Sequence, residues 1–171
     1  MLNLIKAAAG CKAESLMGKY LAKAELKIED CNGEARAEIT INKSSLSVIK
    51  SECKGSWLRL YVMPGRSNNT GSSPKRIMRN VCGAEEIVFS KEMVEEYLKL
   101  SGDTNIIHTG DNPVVPGMMI LYKLLQHKNI EANARFYIPV YADEKLWVKR
   151  EEKCITVYSV NGIAVKINIR S

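Results

Sequence analysis

Pro116-Gly117-Met118-Met119-Ile120-Leu121-Tyr122-Lys123-Leu124-Leu125-Gln126-His127 decides the fold. Pro116-Gly117 opens a helix over 117–127, and apolar side chains cover it nearly all round, broken mainly by Lys123 and Gln126. Such a helix has no face for water and must be buried. The chain supplies the cover directly afterwards. Residues 132–141 are a mixed apolar run ending near Pro139, and Leu146 and Val148 alternate with Lys145, Trp147 and Lys149. The runs 154–160 and 163–169 flank Asn161-Gly162, the strongest short hairpin signal in the sequence. Ile163, Val165, Ile167 and Ile169 recur with a period of two. A helix followed by antiparallel strands reads as an α+β arrangement with a sheet wrapped around the helix.

Upstream of this unit, Ser90 is a good N-cap, with Glu92 in the first turn where the helix dipole favours acid. Met93, Val94, Tyr97 and Leu98 recur at helical spacing, which predicts an amphipathic helix over 91–100. A loop carrying Asp103 and His108 joins the two helices. Residues 84–171 therefore read as one unit. Before it, residues 65–76 are polar, Gly/Ser-rich and without periodicity, and 65–83 reads as a linker. Residues 1–64 form a β-rich basic module. A short helix falls within 2–17, followed by four strand-like runs. Ala24, Leu26 and Ile28 mark the first, and Ala35, Ala37, Ile39 and Ile41 the second, across an Asn32-Gly33 turn. Leu46 and Val48 mark the third. Leu58, Leu60 and Val62 mark the fourth, with Trp57 and Tyr61 facing the other way.

The 171 residues are 46% hydrophobic and 26% charged, which excludes a disordered chain or a disulfide-stapled miniprotein. No apolar run approaches the roughly 20 residues of a membrane-spanning helix. Lys6 interrupts the N-terminal apolar stretch too early for a secretory signal, which suggests a cytoplasmic protein. Five cysteines, odd in number and without a CxxC pair, read as reduced thiols; no metal site and no cofactor is expected. The net charge of +6 splits into +7 over 1–83 (14 Lys/Arg, 7 Asp/Glu) and −1 over 84–171 (11 and 12). A basic half can serve an anionic partner, but these residues are scattered singly, which favours solvated faces. No motif for nucleic acid and none for a membrane is present.

Tyr97-Leu98-Lys99-Leu100-Ser101-Gly102-Asp103-Thr104-Asn105-Ile106-Ile107-His108 resembles the signature of MaoC-like (R)-specific enoyl-CoA hydratases, an aromatic-x-x-S-G-D-x-N-P-x-H pattern. Ser101, Gly102, Asp103, Asn105 and His108 match, and Ile106 stands where proline is usual. Arg135-Phe136-Tyr137-Ile138-Pro139-Val140 is similar to the family's strand after the buried helix. His108, Pro113, Pro116 and Gly117 also resemble the frame of β-hydroxyacyl-carrier-protein dehydratases. That family's acid on the buried helix is here replaced by Tyr122. The resemblance covers 84–171. It implies a hot-dog fold, an antiparallel sheet wrapped around a buried helix. Hot-dog units pair, so either a homodimer is expected or an internal pairing in which 1–64 is a degenerate second hot dog. The segment between His108 and Gly117 is shorter than MaoC-like enzymes usually carry.

The implied activity is hydration of enoyl thioesters, or dehydration of 3-hydroxyacyl thioesters, on coenzyme A or an acyl carrier protein. Such a reaction moves a proton from water and steadies an enolate oxygen. A histidine titrates near neutral pH, and an aspartate beside it can share the same water. The resemblance implies that Asp103 and His108 grip that water and that Asn105 holds the loop. It implies that the N–H groups of Gly117 or Met118 receive the thioester carbonyl, since a helix N-terminus offers free donors. Glycine at 117 would keep a Cβ out of the substrate's way. Ser101 and Gly102 fall with the substrate-binding set, although Ser-Gly-Asp after a helix also reads as a C-cap with a turn. Tyr122 and Cys154 read as core, and His127 as a surface residue at a helix C-terminus. Two further classes stay open: a non-catalytic hot-dog module that binds acyl-CoA, and a thioesterase.

Overall fold

The computed structural model describes residues 1–11, 16–29, 33–65, 81–125 and 129–170. The element order is α1 (Leu2–Ala9), β1 (Lys19–Ile28), β2 (Arg36–Asn42), β3 (Ser47–Cys53), β4 (Ser56–Pro64), β5 (Glu85–Val88), α2 (Lys91–Ser101), a 3-10 turn (Ile106–His108), α3 (Gly117–Leu124), β6 (Ile130–Phe136), β7 (Lys145–Glu151), β8 (Cys154–Ser159) and β9 (Gly162–Arg170). All strands join one antiparallel sheet in the order β2-β3-β4-β1-β6-β9-β8-β7-β5. Read outward from the β1–β6 pair, both halves run helix-first and in the same order: α1 then β1-β4-β3-β2, and α3 then β6-β9-β8-β7. β5 extends the second half at its edge. The chain has an α+β hot-dog fold.

The period-two patterns explain which faces are buried. Ala24, Leu26, Leu58, Ala132, Ala134, Leu146, Val148, Val157 and Ile167 line the inner face, and the helices lie against it. α3 buries Met118, Met119, Ile120, Leu121 and Leu124, as its all-round apolar sequence requires. Each such side chain contributes about 1.5–3 kcal/mol by leaving water. α1 contributes Leu4, Ile5 and Ala8 to the same core. Ser90 caps α2 through the Met93 N–H at 3.3 Å.

Several expectations need correction. Tyr122 is not core: it is half-exposed on α3. Cys154 is partly exposed rather than core. Cys53 is disulfide-bonded, so the five cysteines are not all reduced thiols. Strand β6 stops at Phe136, and the segment beyond it pairs only locally, through the Val140 carbonyl to the Val115 N–H and a Val114–Tyr141 bridge. Ile163 is exposed because the β8–β9 register shifts between Val157 and Tyr158, which moves it off the face held by Val165 and Ile167. β5 carries no sequence signal of its own: its four residues, with Glu85 and Glu86 exposed, show no periodicity. The Asn32 turn position, His127, and most of the proposed linker (66–80) lie outside the described residues. Among the described residues no helix is long and apolar enough to cross a membrane.

Candidate active site

The loop after α2 is built by its own side chains. Gly102 ends the helix at φ 76°, where an L side chain is strained, and its N–H bonds the Leu98 carbonyl. Ser101 Oγ accepts from the Asp103 N–H at 3.3 Å, and Asp103 Oδ1 accepts from the Asn105 N–H at 3.0 Å. Asn105 then ties this loop to β1. Its Oδ1 accepts from the Gly18 N–H at 2.9 Å, and its Nδ2 donates to the Lys19 carbonyl at 2.9 Å. Asn105 also caps the 3-10 turn that delivers His108.

His108 is buried, and its Nδ1 lies 2.7 Å from the Val114 carbonyl. A carbonyl only accepts, so Nδ1 carries a proton, and in the neutral ring Nε2 is then a bare lone pair. Nε2 stands 3.7 Å from Asp103 Oδ2, too far for a direct hydrogen bond. Burial pushes the imidazole pKa below its ordinary value; the Asp103 charge and the Val114 bond oppose that shift more weakly. Burial thus favours the neutral ring, whose Nε2 then faces Asp103 Oδ2 as one acceptor faces another across a short gap.

That gap opens on a cavity of about 900 Å³. Asp103, Asn105, His108, Gly117 and Met118 line one part of it. Ile5 and Ala8 of α1, Leu60 and Val62 of β4, and the start of β1 line the rest, so both halves of the chain build its wall. Ser101 and Gly102, expected with the substrate-binding residues, turn the chain and fix the Asp103 backbone. Within α3 the Pro116 carbonyl accepts from Met119 and Ile120, which leaves the Gly117 and Met118 N–H groups ahead of the first intrahelical bond. Glycine at 117 also has a packing role: a Cβ there would lie 2.8 Å from Leu21 Cδ2 and 2.9 Å from Phe136 Cε1, so those side chains of β1 and β6 would have to move to admit one.

Three features of the cavity were not read from the sequence. The Val114 carbonyl is a backbone group. Tyr97, a core position of α2, also lines the cavity, and burial followed by the Asp103 charge raises its phenol pKa. Lys19 is buried although it lies five positions before Ala24, an odd separation that strict alternation would turn outward. A register shift between Leu21 and Lys23 reverses the parity and turns Lys19 inward. Among the described residues no group of His, Cys, Asp and Glu is placed to hold a metal ion.

No family model matches the chain, and no curated protein matches it by sequence. Solved structures do match. The chain is similar to HtdX of Mycobacterium tuberculosis, with a TM-score of 0.61 and 13% identity over 91% of this chain and 77% of that one. It is similar to a MaoC-like dehydratase, with a TM-score of 0.60 and 10% identity over 98% of this chain and 82% of that one. An acyl-ACP thioesterase from Bacteroides thetaiotaomicron aligns with a TM-score of 0.51 and 8% identity over 88% of this chain and 75% of that one. At such identities the likeness is one of fold, and the fold is the hot dog of the MaoC-like dehydratases.

Proposed function

We propose that the protein is a MaoC-like hydro-lyase that hydrates enoyl thioesters, or dehydrates 3-hydroxyacyl thioesters, carried on coenzyme A or an acyl carrier protein. The observation that carries this reading is the facing of two acceptors, Asp103 Oδ2 and His108 Nε2, at 3.7 Å on the cavity wall. Two lone pairs at that separation repel unless a donor lies between them. A water donating one hydrogen to each satisfies both and leaves its own lone pairs free to attack Cβ. Its proton passes to the dyad and on to Cα, so H and OH of one water add across the double bond and the dyad ends as it began. The enolate oxygen that forms between these events is received by the Gly117 or Met118 N–H. Asn105, Ser101 and Gly102 hold Asp103 and the turn in place.

In the same reading, residues 1–64 are a degenerate hot-dog unit, 65–83 a linker and 84–171 the unit that carries the dyad. The repeated strand order supports this division. The β1–β6 pairing then does within one chain what a second copy would do for a single unit, so the expected homodimer is not needed to complete the sheet. A cytoplasmic location rests on the remaining thiols of Cys11, Cys82 and Cys154, and the disulfide at Cys53 counts against it.

Loss of the enoyl-thioester absorbance of trans-2-enoyl-CoA by the purified protein tests the reaction. Asp103→Asn and His108→Ala should each lower kcat/KM by about 10²–10⁴. Saturable acyl-CoA binding without turnover in the wild type would make the chain a binding module, and release of free coenzyme A a thioesterase.

A further inference from the structure

Lys19 and Asp103 are the charged side chains among the described residues that line the cavity. Asp103 belongs to the dyad. Lys19 has no part in it, yet it is 92% buried by virtue of a relative exposure of 8%. Its ammonium is held at 2.9 Å by the Lys43 carbonyl and at 2.9 Å by Ser47 Oγ. Ser47 Oγ in turn donates to Asn42 Oδ1 at 3.1 Å. Both acceptors of Lys19 are neutral, and an ammonium has three donors. Among the described residues no carboxylate pairs with this ammonium, and an unpaired charge in a low-dielectric setting is costly.

The position of this charge identifies what it meets. Lys19 lies on the inner face of β1, and its reach to Ser47 carries the ammonium across β4 to β3. The neighbouring cavity wall is apolar: Ile49, Leu60 and Val62 from the strands, and Ile5 and Ala8 from α1. Lys19 lines the cavity with these residues, and Met63 and Tyr137 belong to its exposed lining, so a hydrocarbon chain laid along the apolar wall from the dyad would run beside Lys19 inside the protein. A bulky, strongly hydrated phosphate suits the rim; a carboxylate on the chain suits the buried ammonium.

We propose that the cavity selects acyl groups that carry a carboxylate remote from the thioester, and that Lys19 is the specificity residue that pairs with it. This rests on the thioester reading of the site. A salt bridge of one ammonium to one carboxylate, formed out of water with the Lys43 carbonyl and Ser47 holding the donor in place, discriminates strongly against a methyl end.

The test is calorimetric binding of a matched series of saturated coenzyme A thioesters ending in methyl or in carboxylate, at several chain lengths. The wild type should bind the carboxylate ester at least about tenfold more tightly at one length in the series, the scale of one charge-assisted hydrogen bond. Lys19→Met should collapse that ratio to near one, and Lys19→Arg, which keeps the charge, should retain a preference. Methyl esters that bind as well as carboxylate esters at every length in the wild type would overturn the proposal while leaving the thioester reading intact. So would a preference that survives in Lys19→Met. No binding of either ester would instead overturn the thioester reading, and this proposal with it.

Discussion

The Val114 carbonyl accepts a hydrogen bond of 2.7 Å from Nδ1 of His108. That contact sets the tautomer and turns the bare Nε2 toward Asp103. Burial then disfavours the imidazolium. A base that stays neutral keeps working in acid. The acidic limb of the pH profile of kcat/KM, where the base becomes protonated, should therefore have its midpoint below the ordinary histidine value of about 6.5. Asp103→Asn removes the charge that pulls the imidazole pKa up, and should move the residual limb lower still. A wild-type limb at or above about 6.5 would mean that His108 is not desolvated as its burial implies.

The same group makes stability depend on pH. Above the unfolded-state value His108 is neutral folded and unfolded, and contributes no slope. Below about 6.5 the unfolded chain takes up a proton that the folded chain resists, so stability falls with falling pH until the lower folded-state pKa is passed. Denaturant titrations of wild type and His108→Gln between neutral and mildly acidic pH check this. The wild type should lose more stability over that range than the variant.

Asn105 links the loop of Asp103 to β1 through Gly18 and Lys19. Asn105→Ala removes both bonds and leaves a backbone carbonyl and an N–H without partners. It should cost about 1–3 kcal/mol in stability. It should also lower kcat more than it raises KM, because the dyad loses its anchor while the cavity keeps its walls. Equal effects on both parameters would assign Asn105 to binding instead.

Gly117→Ala should be destabilising by about 1–3 kcal/mol although alanine is the better helix former. The new methyl meets Leu21 and Phe136. Leu21→Val removes one of the two obstructions, so the double variant should be more stable than the sum of the single changes allows. Additive losses would show that Phe136 alone limits the space.

Much of this fold is legible because a few segments leave no choice. The α3 sequence must bury every side but that of Tyr122 and Lys123, and Asn161-Gly162 fixes a hairpin that wraps it. The inner faces of β4 and β7 follow from plain alternation. What alternation misses are the register shifts. One reverses the facing of Lys19 and Leu21, a second leaves Ile41 exposed at the edge of β2, and a third moves Ile163 outward. The candidate site divides in the same way. Asp103, Asn105 and His108 can be picked out as side-chain types at a fixed local spacing. The Val114 carbonyl has no side-chain signature, and the walls from α1 and β4 come from residues far off in sequence that only the completed sheet brings near. The packing reason for Gly117 is likewise long-range, since Leu21 and Phe136 sit on different strands.

The gap between Asp103 and His108 is most directly tested by a crystal structure of the protein with a bound 3-hydroxyacyl-CoA. The expected result is the 3-hydroxyl oxygen within hydrogen-bond distance of both Asp103 Oδ2 and His108 Nε2, with the thioester oxygen on the Gly117 or Met118 N–H. A hydroxyl that touches neither group, or a thioester seated away from the start of α3, would contradict the proposed chemistry.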